Sequence, residues 1–142
     1  RWQERPEDIP AAVEEFLRVE GPLERMLARW ATEDVEIGGQ LIKKGEIIIL
    51  IIAAADRDPA QFENPDEIDL DRPHNRHLAF GKGAHFCLGA PLARLEGEIA
   101  FRFLLDRLPN LRLGIPAEEA VVRLNPTFRS FESLPVEWDT ER

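Results

Sequence analysis

The chain has 142 residues, of which 44% are hydrophobic and 32% charged, enough apolar material for one globular unit and too much for a disordered tail. Its 18 basic residues against 27 acidic ones give a net charge of -9, without the basic excess of a nucleic-acid binder. Cys87 is the only cysteine, which excludes an internal disulfide framework and fits a reducing, cytoplasmic setting.

No repeat, low-complexity tract or linker divides the sequence. Asp8-Ile9-Pro10 followed by AAVEEFLR predicts a helix capped by Asp8, with proline in its first turn, running to about Val19 and ended by Gly21-Pro22. The stretch VEIGGQLIKKGEIIILI alternates apolar residues across Gly38-Gly39 and Lys43-Lys44-Gly45, which predicts a small antiparallel sheet. Its last strand, Ile47 to Ile52, reads as buried on both faces. The longest apolar run, Ile47 to Ala55, is too short to span a bilayer, and no signal peptide opens the sequence. From Asp56 to His77 the composition turns to Asp, Pro, Asn and Arg, an irregular segment with room for one short helix. The longest helix is predicted over Pro91 to Leu108. Leu92, Leu95, Ile99 and Phe103, widened by Leu104 and Leu108, form its apolar stripe, and Arg94, Glu98, Arg102 and Asp106 form a solvated i,i+4 ladder. LRLGI, VVRL and LPVEW close the chain as short strands. The fold class is mixed α and β, mainly α, with small antiparallel sheets.

Chemistry concentrates in FGKGAHFCLG, Phe80 to Gly89. Glycines at this density mark backbone that bends tightly or is approached closely. Cys87 precedes the long helix, where unpaired N–H groups and the helix dipole stabilise a thiolate. Three other readings stand beside that one. Cys87 can be a small buried hydrophobe, a nucleophile served by His85, or, with His74, His77 and His85, part of a tetrahedral zinc site. The spacing H-x2-H-x7-H-x-C is unlike familiar zinc motifs.

The same loop resembles the haem-binding pattern F-x-x-G-x-x-x-C-x-G of the cytochrome P450 family, with Phe80, Gly83, Cys87 and Gly89 at the fixed positions. APLARLE after it is similar to soluble bacterial members. Glu15 and Arg18 fill the family's E-x-x-R motif, and RWATEDVEIGG and ADRDPAQFENPDEIDLDR resemble the segment after that helix and the family's meander. These motifs stand in family order over nearly the whole chain. The resemblance implies that residues 1–142 are the C-terminal haem-binding portion of a cytochrome P450 fold. It implies haem b as cofactor, with Cys87 as the axial iron ligand and Phe80, Gly81 and Gly89 against the macrocycle. Arg29 and His85 match positions that hold the haem propionates, and His77 is a further candidate contact. Glu15 and Arg18 are expected to join Arg72 in a partly buried network bracing the haem loop, whereas Glu14→Ala is expected to be nearly silent.

By the same resemblance the intact enzyme is a monooxygenase acting on a small organic substrate, which Trp2, Trp30 and Phe131 do not identify. Electrons would come from NAD(P)H through a ferredoxin or flavodoxin, with Lys82 a candidate for docking that acidic donor. The family's central oxygen-activation helix is missing. The chain expressed alone is therefore expected to aggregate, bind haem weakly and lack activity. The alternative is a non-catalytic haem-binding remnant.

Overall fold

The computed structural model describes residues 5–123 and 125–140, so Trp2 and the last residue of VVRL, Leu124, lie outside the described residues. Three helices and three two-stranded antiparallel sheets make up the regular structure. Helix α1 spans Ile9–Glu20. Ile9, Ala12, Val13 and Val19 on it are buried, a spacing that gives one apolar face. Asp8 makes no side-chain cap bond. A 3-10 turn, Pro6–Asp8, leads into the helix instead, and the Asp8 carboxylate accepts from Arg5 at 3.0 Å. The helix stops because Pro22 lacks an N–H and forces Gly21 into extended backbone with ψ 137°.

Strand β1 (Arg29–Trp30) pairs with β4 (Ile47–Ile48), and β2 (Val35–Ile37) pairs with β3 (Gln40–Ile42). Gly38 and Gly39 join β2 to β3 at φ 58° and 78°, the two-residue hairpin turn that non-glycine residues enter with difficulty. The run from Ile47 to Ile52 is not buried on both faces. Ile47 is 63% exposed, Ile49, Leu50 and Ile51 are also exposed, and only Ile52, the first residue of helix α2 (Ile52–Ala55), is buried. The run has one antiparallel neighbour, and no described element covers its faces. The segment after Asp56 contains no helix; the short helix precedes it. Carboxylate-capped turns at Asp58 and Asp69 hold it, accepting from the N–H groups of Ala60 and Asp71.

Helix α3 spans Ala90–Arg107 and packs on α1. The apolar stripe of Leu92, Leu95, Ile99 and Phe103 faces outward, away from α1 and without a partner element among the described residues. Contact with α1 runs through Gly97 and Phe101, and Ala90 at the start of the helix is fully buried. A Cβ at Gly97 would lie 3.3 Å from Val13 Cγ1, and the rings of Phe16 and Phe101 are 5.4 Å apart. Close helix approach selects small residues here, and a hydropathy pattern gives these little weight. Arg94 leaves the expected charge ladder to pair with Glu14 on α1.

Strands β5 (Arg112–Leu113) and β6 (Val136–Glu137) form the last sheet, and Val122 pairs with Phe131 in an isolated bridge. A second bridge, Leu23 to Phe128, ties this region to the chain just beyond α1. Among the described residues no helix is long and apolar enough to cross a membrane.

Candidate functional site: the Cys87 loop and its two braces

Phe80 to Gly89 folds back on itself between the irregular segment and α3. The Gly81 N–H donates to the Leu78 carbonyl at 2.7 Å, and the Phe86 N–H donates to Gly83 at 3.0 Å. The turn is closed where the Cys87 N–H donates to the Phe80 carbonyl at 2.9 Å. Gly81 and Gly83 sit at φ 71° and 82°, which explains two of the glycines. Gly89 has ordinary backbone angles, but a Cβ there would stand 3.7 Å from the Cys87 sulfur, so its lack of a side chain leaves the thiol approachable.

Cys87 is exposed, which sets aside the buried-hydrophobe reading. The neighbouring Leu88 is 97% exposed and Phe86 49%, so the thiol stands beside apolar side chains that nothing described covers. No group of three or more His, Cys, Asp or Glu side chains among the described residues is placed to hold a metal ion, so the zinc constellation does not assemble. Arg29, on β1, and His85, at the end of the Gly83–His85 turn, are both exposed, and neither is committed to an ion pair among the described residues. Lys82 is exposed as well.

Two carboxylates on α1 hold the chain on either side of this loop: Glu15 the irregular segment before it, and Glu14 His77 before it and Arg94 after it. Glu15, 1% exposed, accepts from Arg18 Nε and Nη2 at 2.9 and 2.7 Å, from Arg72 Nε at 3.1 Å, from the Asp69 N–H at 2.9 Å and from Asn75 Nδ2 at 3.0 Å. Arg18 extends the network to the carbonyls of Asp56, Pro65 and Glu67 at 2.9, 2.6 and 2.9 Å, and stacks 5.1 Å over the Phe62 ring. The structure thus brings Glu15, Arg18 and Arg72 together. Burial by itself would raise the Glu15 pKa; the donors from Arg18, Asp69 and Arg72 outweigh it and hold the carboxyl below its ordinary range.

Glu14 is the second brace, and it is not the idle surface residue expected. Arg94 grips it with Nε and Nη2 at 2.6 and 2.8 Å, and His77 Nε2 donates to it at 3.0 Å. His77 Nδ1 accepts the Ala79 N–H at 3.2 Å, so both ring nitrogens are committed within the chain. Burial raises the Glu14 pKa, but the bonds from His77 and Arg94 prevail and bring it from 4.5 down to about 2. A third carboxylate, Asp56, accepts the Leu78 N–H at 2.7 Å and so anchors the entry to the loop. It is 1% exposed, and burial pushes its pKa up despite that bond. Sequence reasoning missed Glu14, Arg94 and Asp56. Glu14 and Glu15 are indistinguishable in composition, and only the direction each faces separates them.

Residues 9–116 match the family described as Cytochrome P450. The chain is 49% identical over 136 residues to the polyketide biosynthesis cytochrome P450 PksS of Bacillus subtilis, covering 96% of this chain and 34% of that protein. It is 46% identical over 134 residues to the 6-deoxyerythronolide B hydroxylase of Saccharopolyspora erythraea, covering 94% and 33%. The solved structure of PksS superposes with a TM-score of 0.93 at 48% identity, over 98% of this chain and 36% of that one. P450BioI, solved in complex with an acyl carrier protein ligated to hexadec-9Z-enoic acid, gives 0.87 at 46% identity, over 97% and 35%. The chain belongs to the cytochrome P450 family. It spans about a third of the length of the relatives it matches.

Proteins of this family bind haem, and the residues present suit it. A flat apolar macrocycle would cover the exposed apolar side chains around Cys87. Among the described residues the thiol has no competing partner, and two donors not committed to an ion pair there, Arg29 and His85, are of the kind that holds carboxylates.

Proposed function

We propose that this chain is the haem-ligating portion of a haem-thiolate monooxygenase. The observation that carries the reading is Cys87: the one thiol of the chain, exposed, with its N–H tied back to Phe80 and Gly89 beside the sulfur. Cys87 would be the axial iron ligand, and Phe80, Gly81 and Gly89 would lie against the ring. Arg29 and His85 would hold the propionates. Thiolate-ligated haem supplies dioxygen activation, because the anionic sulfur donates electron density that favours O–O cleavage.

Backbone N–H groups at the start of α3 would temper the charge of the thiolate. The Cys87 N–H bond to Phe80 fixes the backbone that carries the ligand. His77, with both nitrogens engaged, supports the loop from beneath rather than offering a free donor. Exposed Lys82 suits an acidic electron donor of ferredoxin or flavodoxin type. One oxygen atom of O2 would enter a small organic substrate and the other would leave as water, with electrons from NAD(P)H passed through that donor. The lone unpaired cysteine supports a cytoplasmic location.

The test uses the full-length protein that contains this chain. Its ferrous carbonyl complex is expected to show the strongly red-shifted Soret band of thiolate ligation, and Cys87→Ala to abolish it. Survival of that band in Cys87→Ala, or stoichiometric zinc in place of haem, overturns the assignment. A correct band without incorporation of labelled dioxygen into any organic substrate identifies a non-catalytic haem protein instead.

A further inference from the structure

The Glu14–Arg94 pair is a bidentate contact between α1 and α3 that the reading above leaves without a task. One carboxylate on α1 takes a bidentate guanidinium from α3 and the His77 imidazole. Both donors then converge on a single aromatic ring. The Arg94 guanidinium lies 4.7 Å over Phe80, and the His77 ring lies 6.1 Å from it. Phe80 is the residue whose carbonyl accepts the Cys87 N–H. A continuous physical chain therefore runs from Glu14 through Arg94 and His77 to Phe80, and from Phe80 to the backbone of the thiol.

Adjacent helix residues project about 100° apart, so α1 sends its two carboxylates to different places. Glu15 takes donors from Asp69 and Asn75 in the irregular segment, and Glu14 takes them from His77 and Arg94, which flank the Cys87 loop. A planar guanidinium held at two points keeps its face on a ring, which a lysine ammonium on a flexible stem does not do.

We infer that Glu14, acting through Arg94 and His77, is a positioning residue for the Cys87 thiolate: it clamps Phe80 and thereby sets how the loop presents sulfur to iron. This rests on the reading of Cys87 as the haem ligand. The experiment compares the full-length haem protein with Arg94→Lys, Glu14→Gln and Phe80→Leu. The readout is the share of the ferrous carbonyl complex, within haem-loaded protein, that lacks the red-shifted thiolate band. Arg94→Lys keeps the charge but loses the planar contact, and is expected to raise that share several-fold at unchanged haem content. Phe80→Leu removes the same contact and also the ring placed against the macrocycle, so it is expected to raise that share at least as far as Arg94→Lys does.

If the clamp only adds stability, thermal midpoint and haem content fall together while the share within loaded protein stays at the parent value; that result overturns the inference. Should Glu14→Gln fail to fold, Arg94→Lys still decides, since the Arg94 side chain is only partly buried. Survival of the thiolate band in Cys87→Ala would instead show that the ligand assignment itself is wrong, however the clamp variants behave.

Discussion

Replacing Glu15 by alanine removes a carboxylate that is 1% exposed and leaves two guanidiniums, Arg18 and Arg72, facing each other without it. Breaking one side of a buried ion pair costs about 3–5 kcal/mol, because the remaining charge is stranded. Arg18 keeps the carbonyl oxygens of Asp56, Pro65 and Glu67, so its N–H groups are not all orphaned. That places the expectation at the lower end, about 3 kcal/mol, a large share of the roughly 5–15 kcal/mol that holds a domain folded. Arg18→Ala should cost more. It strips the donor from those three carbonyls as well as from Glu15, and removes the cation over Phe62. Urea unfolding of the full-length haem protein, at constant slope with denaturant, measures both. A loss below about 1 kcal/mol for Glu15→Ala, the range of an exposed pair, with Arg18→Ala no worse, would refute the reasoning.

Glu14 has its folded pKa lowered from 4.5 to about 2, so its stabilisation is present above 4.5 and is lost as pH falls toward 2. The drop corresponds to at most about 3 kcal/mol before solvent screening of a partly exposed group, and Glu14→Gln should flatten that part of the stability–pH curve. Asp56 has the opposite sign: its pKa is raised, so its buried charge opposes folding above that pKa. Asp56→Asn keeps an acceptor for the Leu78 N–H and should be neutral or stabilising near pH 7, whereas Asp56→Ala should destabilise in the same unfolding assay. Gly97→Leu drives a side chain into Val13 and should cost about 1–3 kcal/mol, read as a lowered thermal midpoint. The 142-residue chain alone should self-associate in light scattering, because Leu88, Ile47, Leu92 and Phe103 are all more than half exposed.

The order of elements is legible in the sequence because its punctuation is local. Gly21-Pro22 ends α1, and Gly38-Gly39 turns a hairpin; each acts through backbone restriction that needs no knowledge of neighbours. Glu15, Arg18, Arg72 and Cys87 are legible through motif spacing. The contact of α3 with α1 is not, because side-chain hydropathy ranks Leu92, Leu95, Ile99 and Phe103 above Gly97, the small residue that permits close approach to Val13. The burial of Ile47 to Ile51 fails for a related reason: apolarity records what a surface is suited to meet, not what meets it in this chain. Glu14 and Arg94 are eighty positions apart, and nothing local announces that they touch.

The exposure of Cys87 makes it a chemical reporter. It is the only thiol of the chain, it stands open beside Gly89, and the same sulfur is the atom proposed to bind iron. An alkylating reagent and the cofactor would then compete for one atom. The label incorporated at Cys87 after a brief pulse, read by peptide mass, would count ligand-free molecules directly without reference to any absorbance band.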